Sequence, residues 1–272
     1  SEIEINALIE MELIDDNFLE SQNAALLINT DKTICILING LDHIKIQVVG
    51  NNDIKGLYEI GNEIDDILES NLEYAFDKDL GYLTTCPVNV GTGLKITNTI
   101  HIPSIEKLKQ VDDYYKIAHK IGVNFKGVYG KTKSILGSLY TISNSIMLGR
   151  SESNIIQSVE SMSNDLSKRE YESREILKNV HKIDLEDEIF RSLAILSSAR
   201  VITNSELMKC LSNVKLGIEM GYIDDVNLEK VINFMTGKQP YLKIISAYDE
   251  EDKIERASYI RREFSLANRN NK

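Results

Sequence analysis

Apolar positions along this chain change their spacing at two points. Over the first fifty residues they run in short blocks. Ala24–Asn29 and Thr33–Asn39, separated by Thr30-Asp31-Lys32, predict a hairpin, and Ile44-Lys45-Ile46-Gln47-Val48-Val49 alternates as a third strand up to Gly50-Asn51-Asn52. Before them, Ile3 to Ile14 mixes apolar and acidic residues and predicts a short strand or helix leading into a sheet. Leu57, Ile60, Ile64, Ile67, Leu68 and Leu72 then fall on one helical stripe. Leu94 to Ile102 predicts a strand stopped by Pro103, with one helix following through Ile105, Leu108, Val111, Tyr115 and Ile117. Phe125–Tyr129 and Leu139–Ile146 predict two more strands around the loop Gly130–Ser138. From Ser151 the period is helical. Ile155, Val159, Met162 and Leu166 mark one helix, and Ile189, Leu193 and Leu196 another. Thr203 with Glu206 forms a capping box ahead of Leu207 and Leu211. A charged helix over Asp252 to Ala267 closes the pattern.

The strand signals thus lie before Arg150 and the long helices after it, with no Pro-, Gly- or Ser-rich linker between them. This predicts a single α+β domain over residues 1–272, an antiparallel sheet flanked by helices, with a sheet-rich part at 1–150 and a mostly helical part at 151–272.

Charge narrows the function classes. A net charge of −11 and a pI near 5.0 argue against a general nucleic-acid or membrane-surface binder. There is no apolar run of transmembrane length and no signal-peptide pattern, so neither nucleic acid nor membrane is expected as a partner. Three cysteines, Cys35, Cys86 and Cys210, are odd in number and widely spaced. This points to a reducing, cytoplasmic setting. The first arginine is Arg150, and every basic side chain before it is lysine.

One stretch resists both periods: Gly81-Tyr82-Leu83-Thr84-Thr85-Cys86-Pro87-Val88-Asn89-Val90-Gly91-Thr92-Gly93-Leu94-Lys95. Small and polar residues occupy positions where a strand or helix would carry bulk, so it reads as an ordered loop. Gly91-Thr92-Gly93 lets backbone approach a ligand but has neither Walker nor Rossmann spacing. Cys86 is a candidate reactive thiol, with an ordinary loop residue as the alternative. Cys35 reads as core. Asp42-His43 is a candidate acid/base pair or a plain turn. His101 and His181 have no metal-ligand spacing, and no metal site is expected. Lys45, Lys95, Lys126 and Lys131 lie on or beside strand edges.

Together these segments resemble the catalytic domain of the ATP:guanidino phosphotransferases, the family of creatine, arginine and bacterial protein-arginine kinases. The resemblance is carried by Gly81–Lys95, by Leu13-Ile14-Asp15-Asp16-Asn17-Phe18-Leu19, by Asp42-His43-Ile44-Lys45-Ile46, and by Ile142-Ser143-Asn144 with Leu148-Gly149. Leu185-Glu186-Asp187 through Arg191-Ser192-Leu193 and Cys210-Leu211-Ser212 through Leu216-Gly217 resemble the protein-arginine kinase branch. The family transfers the γ-phosphoryl of Mg-ATP to a guanidinium. Arginines clamp the phosphates, and two carboxylates and a thiolate hold the acceptor.

By that resemblance Cys86 is the retained thiol. The two carboxylate positions read Leu41, within Asn39-Gly40-Leu41-Asp42-His43, and Lys131, after Lys126-Gly127-Val128-Tyr129-Gly130. Phosphate-clamp arginines become Lys45, Lys95 and Lys126. The branch's phosphoarginine pocket maps onto Asp252, Lys253, Arg256 and Ala257, with the first two altered. The family's Ser-x-Arg-x-Arg segment and N-terminal helical domain are not expected in this chain.

The resemblance therefore implies a degenerate protein-arginine-kinase-like protein, a pseudokinase with a regulatory or scaffolding role in bacterial stress response and protein quality control. ATP and Mg²⁺ are expected to bind weakly or not at all. Expected partners are an active arginine kinase or its activator, a heat-shock repressor, a Clp chaperone, or a second copy in a homodimer. The alternative is an active ATP-dependent protein-arginine kinase that uses displaced acids such as Asp42, Asp53 or Glu59, or an N-terminal domain supplied in trans.

Overall fold

The computed structural model describes residues 5, 8–9, 13–14, 16–21, 23–51, 53–129, 135–236 and 250–265. A short helix α1 (Asp16–Glu20) precedes the expected hairpin. β1 (Ala25–Ile28) and β2 (Ile34–Ile38) pair antiparallel with Ala25 opposite Ile38, and β3 (Ile44–Val48) pairs on the far side of β2. Asn29 closes the turn, its Oδ1 accepting from the N–H groups of Thr33 and Ile34. Alternation along β2 turns Cys35 and Leu37 inward onto Leu13 and Ile14, a small core of its own. α2 (Ile54–Glu69) starts at Asp53, whose carboxylate accepts from the Gly56 N–H at 3.1 Å.

A two-stranded ribbon follows, β4 (Phe76–Asp77) with β5 (Gly81–Tyr82). Strands of two residues show no period, so the apolar pattern could not disclose it. The third sheet holds β6 (Thr97–His101), β7 (Val123–Tyr129) and β8 (Ile135–Asn144) in the order β6-β8-β7, all antiparallel. The fold is α+β, as expected. Among the described residues its antiparallel strands are divided over three sheets rather than gathered in one.

Two local expectations change. The single helix after Pro103 is two, α3 (Pro103–Lys107) and α4 (Val111–Ile121), because the chain leaves helical geometry at Leu108 and Lys109 takes φ 57°. β8 begins at Ile135, before the expected Leu139, because Ile135 pairs with Tyr129.

β8 is the central strand and lies between two cores. Tyr140 and Ile142 pack with Ile102, Phe125, Val159 and Leu166, and Phe125 stacks on Tyr140 with centroids 5.2 Å apart. Leu139 joins the core of the helical half. That half contains α5 (Glu152–Val180), α6 (Lys182–Ser198), α7 (Asn204–Glu219), α8 (Leu228–Met235) and α9 (Glu250–Glu263). α8 was not expected, since eight residues are too few to establish a stripe. The Thr203 cap forms, its Oγ1 accepting from the Glu206 N–H at 3.1 Å. Leu207, Leu211 and Val214 of α7 are fully buried against Ile189, Leu196, Phe234 and Ile260. Each such leucine contributes about 1.5–3 kcal/mol of burial.

Polar contacts fasten the two halves together. Buried Glu170 on α5 accepts from the N–H groups of Ser104 and Ile105 and from Arg174 Nε, and Arg174 continues to Glu219 on α7. Burial pushes the Glu170 carboxyl up, against the pull of these donors. His101 Nε2 lies 2.8 Å from Ser212 Oγ; burial, then Lys215 and Arg174, hold its imidazole well below the usual range and therefore neutral. No helix among the described residues is long and apolar enough to cross a membrane.

Candidate active site

Gly81–Lys95 folds as a loop closed at its neck. Tyr82 N–H donates to the Gly91 carbonyl at 2.8 Å, and Gly91 N–H donates back to the Tyr82 carbonyl at 3.3 Å. The neck needs glycine. Gly91 has φ 123°, and a Cβ there would sit 2.6 Å from the Met147 backbone carbon. Beyond the neck, Pro87–Asn89 makes a single 3₁₀ turn. The Cys86 carbonyl at its start accepts from Asn89 N–H at 2.9 Å and from Thr84 Oγ1 at 2.7 Å. Cys86 itself is a free, half-buried thiol. Cys35 and Cys210 are buried, and burial pushes both thiols up, Cys210 to about 11, so neither is poised to ionise.

Asp42 joins this loop to the β2–β3 turn. Its Oδ1 accepts from Thr85 N–H at 2.9 Å and its Oδ2 from the Asn89 side-chain amide at 3.0 Å. An Asp42–His43 acid/base pair is not what the geometry shows. Both carboxylate oxygens serve the loop, and His43 contributes its carbonyl to the Asn39 N–H. Leu41, in the same turn, is 52% exposed and has no side-chain hydrogen-bonding atom. The other acids named above are also occupied: Asp53 caps α2, and Glu59 faces Lys55 at 3.9 Å.

Of the basic positions, Lys45 and Lys126 lie on strands and Lys95 just before one, on or beside strands as the sequence predicts, but on two different sheets. Lys45 is exposed on β3, and its charge pulls the Cys35 thiol down against the larger effect of burial. Lys95, just before β6, donates from Nζ to the Asn144 carbonyl. Its ammonium is held below the usual lysine range, first by burial and then by Lys126 on β7. Asn144 organises this corner further. Its Oδ1 accepts from Ile96 N–H at 2.8 Å and its Nδ2 donates to the Leu94 carbonyl at 3.0 Å. Only its place at the end of an apolar strand, in Ser143-Asn144, hints at this in the sequence.

Lys131 lies outside the described residues, as does the side chain of Asp252. On α9 the Lys253 carbonyl accepts from Ile202 N–H, and the almost fully buried Arg256 donates from Nη1 to the Ile202 carbonyl at 2.9 Å. Both contacts tie α9 to the α6–α7 connection.

Two cations on one sheet, Lys95 and Lys126, suit an anionic group such as a phosphate. The Leu41 position offers a guanidinium no acceptor. Among the described residues, no three of His, Cys, Asp or Glu gather as metal ligands. A separate cleft of about 220 Å³ opens against the neck of the loop, lined by Phe76, Asp79, Leu80, Tyr82, Leu148 and Glu152 among others; Cys86 does not line it.

Comparison with known proteins agrees with this arrangement. Residues 1–173 match the family described as ATP:guanido phosphotransferase, C-terminal catalytic domain, and residues 182–272 match the Protein-arginine kinase McsB C-terminal domain. A protein-arginine kinase of Clostridium kluyveri is 38% identical over 271 residues, covering 97% of this chain and 78% of that protein. One from Clostridium novyi is 38% identical over 259 residues, covering 93% and 75%, and one from Bacillus cereus is 34% identical over 266 residues, covering 95% and 75%. Among solved structures, taurocyamine kinase from Schistosoma mansoni with bound transition-state analogue components superposes with a TM-score of 0.56 at 19% identity, over 83% of this chain and 40% of that one. Lombricine kinase superposes with a TM-score of 0.50 at 24% identity, over 62% of this chain and 50% of that one. The loop, the strand order and these alignments lead to one conclusion: the chain belongs to the ATP:guanido phosphotransferase family, in its protein-arginine kinase branch.

Proposed function

We propose that this family member is a pseudokinase, a protein-arginine-kinase-like chain that keeps the scaffold of the site and acts as a regulatory or scaffolding component of stress response and protein quality control. The observation that supports this most directly is the division of labour in the β2–β3 turn. Asp42 spends both oxygens on the cysteine loop, and the neighbouring position that should hold a catalytic carboxylate is an exposed leucine.

The chemistry explains why this matters. The family uses ATP, and phosphoryl transfer to a guanidinium depends on positioning and charge neutralisation. A guanidinium stays protonated at any ordinary pH and attacks only when a carboxylate orients it and takes a proton. Leu41 can do neither. Lys95 and Lys126 retain positive charge for a phosphate, but a lysine is a point charge without the bidentate fork of arginine. A nucleotide would then be held loosely by these lysines, its Mg²⁺ carried on its own phosphates. The partners that fit this role are an active arginine kinase or its activator, a heat-shock repressor or a Clp chaperone, and its compartment would be the cytoplasm.

The test is to incubate the chain with Mg-ATP and an arginine-containing protein, beside the Clostridium kluyveri kinase, and to quantify phosphoarginine by mass spectrometry. We expect no product above background. Loss of members of a concerted site lowers rates by orders of magnitude, so turnover within about tenfold of the relative overturns the reading.

A further inference from the structure

The cleft at the neck of the cysteine loop faces a surface unlike the lysine corner. Tyr82 lies edge-on to Tyr74, with centroids 5.9 Å apart at 71°, and to Phe76, at 5.3 Å and 72°. The Tyr74 hydroxyl donates to Asp65 Oδ1 at 3.0 Å, which ties the β4–β5 ribbon to α2. The Tyr82 phenol is raised first by burial and then by Glu69, Asp65 and Glu152. Asp79 lies on the rim of the cleft. None of Asp65, Asp79 and Glu152 forms an ion pair with a described residue. Arg150 is the one cation among the lining residues.

The floor between these carboxylates is apolar and open. Phe76 is 59% exposed and Leu80 46%, with the exposed Leu148 lining the same cleft. A contiguous exposed apolar surface rimmed by charge marks an interaction site more often than chance exposure does. Here both halves of the recognition are present in one groove.

We propose that this groove docks a lysine- and arginine-rich segment of a partner protein. One apolar side chain of that segment sits against Phe76, Leu80 and Leu148, and its cations lie over the carboxylates and the Tyr82 ring. Charge decides the class of occupant. The rim repels a phosphate or an acidic peptide, and a second copy of this chain brings its own net charge of −11. Cations over aromatic faces add to the attraction. The proposal uses neither Cys86, Leu41 nor the lysine corner, so it stands or falls apart from the pseudokinase reading.

The test is fluorescence anisotropy on the full chain. The probe is a fluorescein-labelled peptide of arginines and lysines around a central leucine. We expect binding that weakens at least about tenfold between about 50 mM and about 300 mM salt. Phe76→Ala, and separately the pair Glu152→Gln with Asp79→Asn, are each expected to weaken it about tenfold, with unchanged far-ultraviolet circular dichroism. Replacing the leucine of the peptide by serine is expected to do the same on the unaltered protein, so the result does not rest on protein variants alone. No binding at low salt, equal binding of a glutamate-substituted peptide, or undiminished binding by both variants overturns the proposal. So does light scattering that shows a dimer abolished by Phe76→Ala, which would assign the groove to a second copy.

Discussion

α2 and α7 are both sixteen-residue helices with an apolar stripe and an N-cap, yet they end in opposite circumstances. α7 buries Leu207, Leu211, Val214 and Leu216 completely, whereas α2, whose stripe is the cleaner of the two, buries no residue fully. The contrast extends to the regions around them. The helical half is held by apolar area removed from water. The sheets of the other half have apolar cores too, but the cysteine loop itself is held by a few directed bonds: the Tyr82–Gly91 neck, the Asp42 carboxylate on Thr85 and Asn89, and the Asn144 amide on Leu94 and Ile96. Burial is additive and tolerant, while a directed bond depends on one atom in one place. A site can thus lose its chemistry at Leu41 while the loop beside it stays formed.

Substitutions in the two regions should therefore differ in size and in kind. The largest effect is expected for Leu211→Ala, which empties a fully enclosed position in α7 and should lower unfolding free energy by about 3 kcal/mol, read by urea denaturation. Gly91→Ala comes next. A Cβ against the Met147 backbone at φ 123° should cost about 2 kcal/mol and open the neck, seen as faster hydrogen exchange at Tyr82. Asp42→Ala removes two bonds from an otherwise intact fold. We expect a loss of about 1 kcal/mol but a clear rise in the rate at which Cys86 reacts with a disulfide reagent, since the loop that shields it is released. If Asp42→Ala destabilises as much as Leu211→Ala, the contrast between the regions fails.

The smallest effect is electrostatic. Lys126→Ala should raise the Lys95 pKa, measurable by carbon NMR of the lysine side chains, because one of the two causes holding it down is gone. The sign on stability follows. A lysine whose folded pKa is depressed binds fewer protons in the fold than in the unfolded chain. Stability therefore rises with pH between that lowered value and the ordinary 10.5, and Lys126→Ala narrows the window.

Much of the architecture was legible in the spacing of apolar residues. The hairpin, the third strand, the places of Lys45, Lys95 and Lys126 on or beside strands, and the Thr203 cap are all where the sequence predicts. The break at Leu108–Gln110 was not legible, because Leu108 and Val111 extend a helical stripe through a point where the backbone leaves helical geometry. Asp42 and Asn144 were visible only as members of motifs, since their partners lie more than forty positions away along the chain.

The sequence by itself determined which faces are apolar, where the hairpin, the third strand and the Thr203-capped helix begin, and which chemical groups stand at each position of the site. These follow from local rules of period, capping and side-chain chemistry. Tertiary structure alone decided which apolar faces are covered, that Asp42 holds a loop rather than a proton, that Lys95 binds the Asn144 carbonyl, and that Phe76 and its acidic neighbours share one open groove. Each of these depends on groups distant in sequence arriving at one point, and no local pattern encodes that distance.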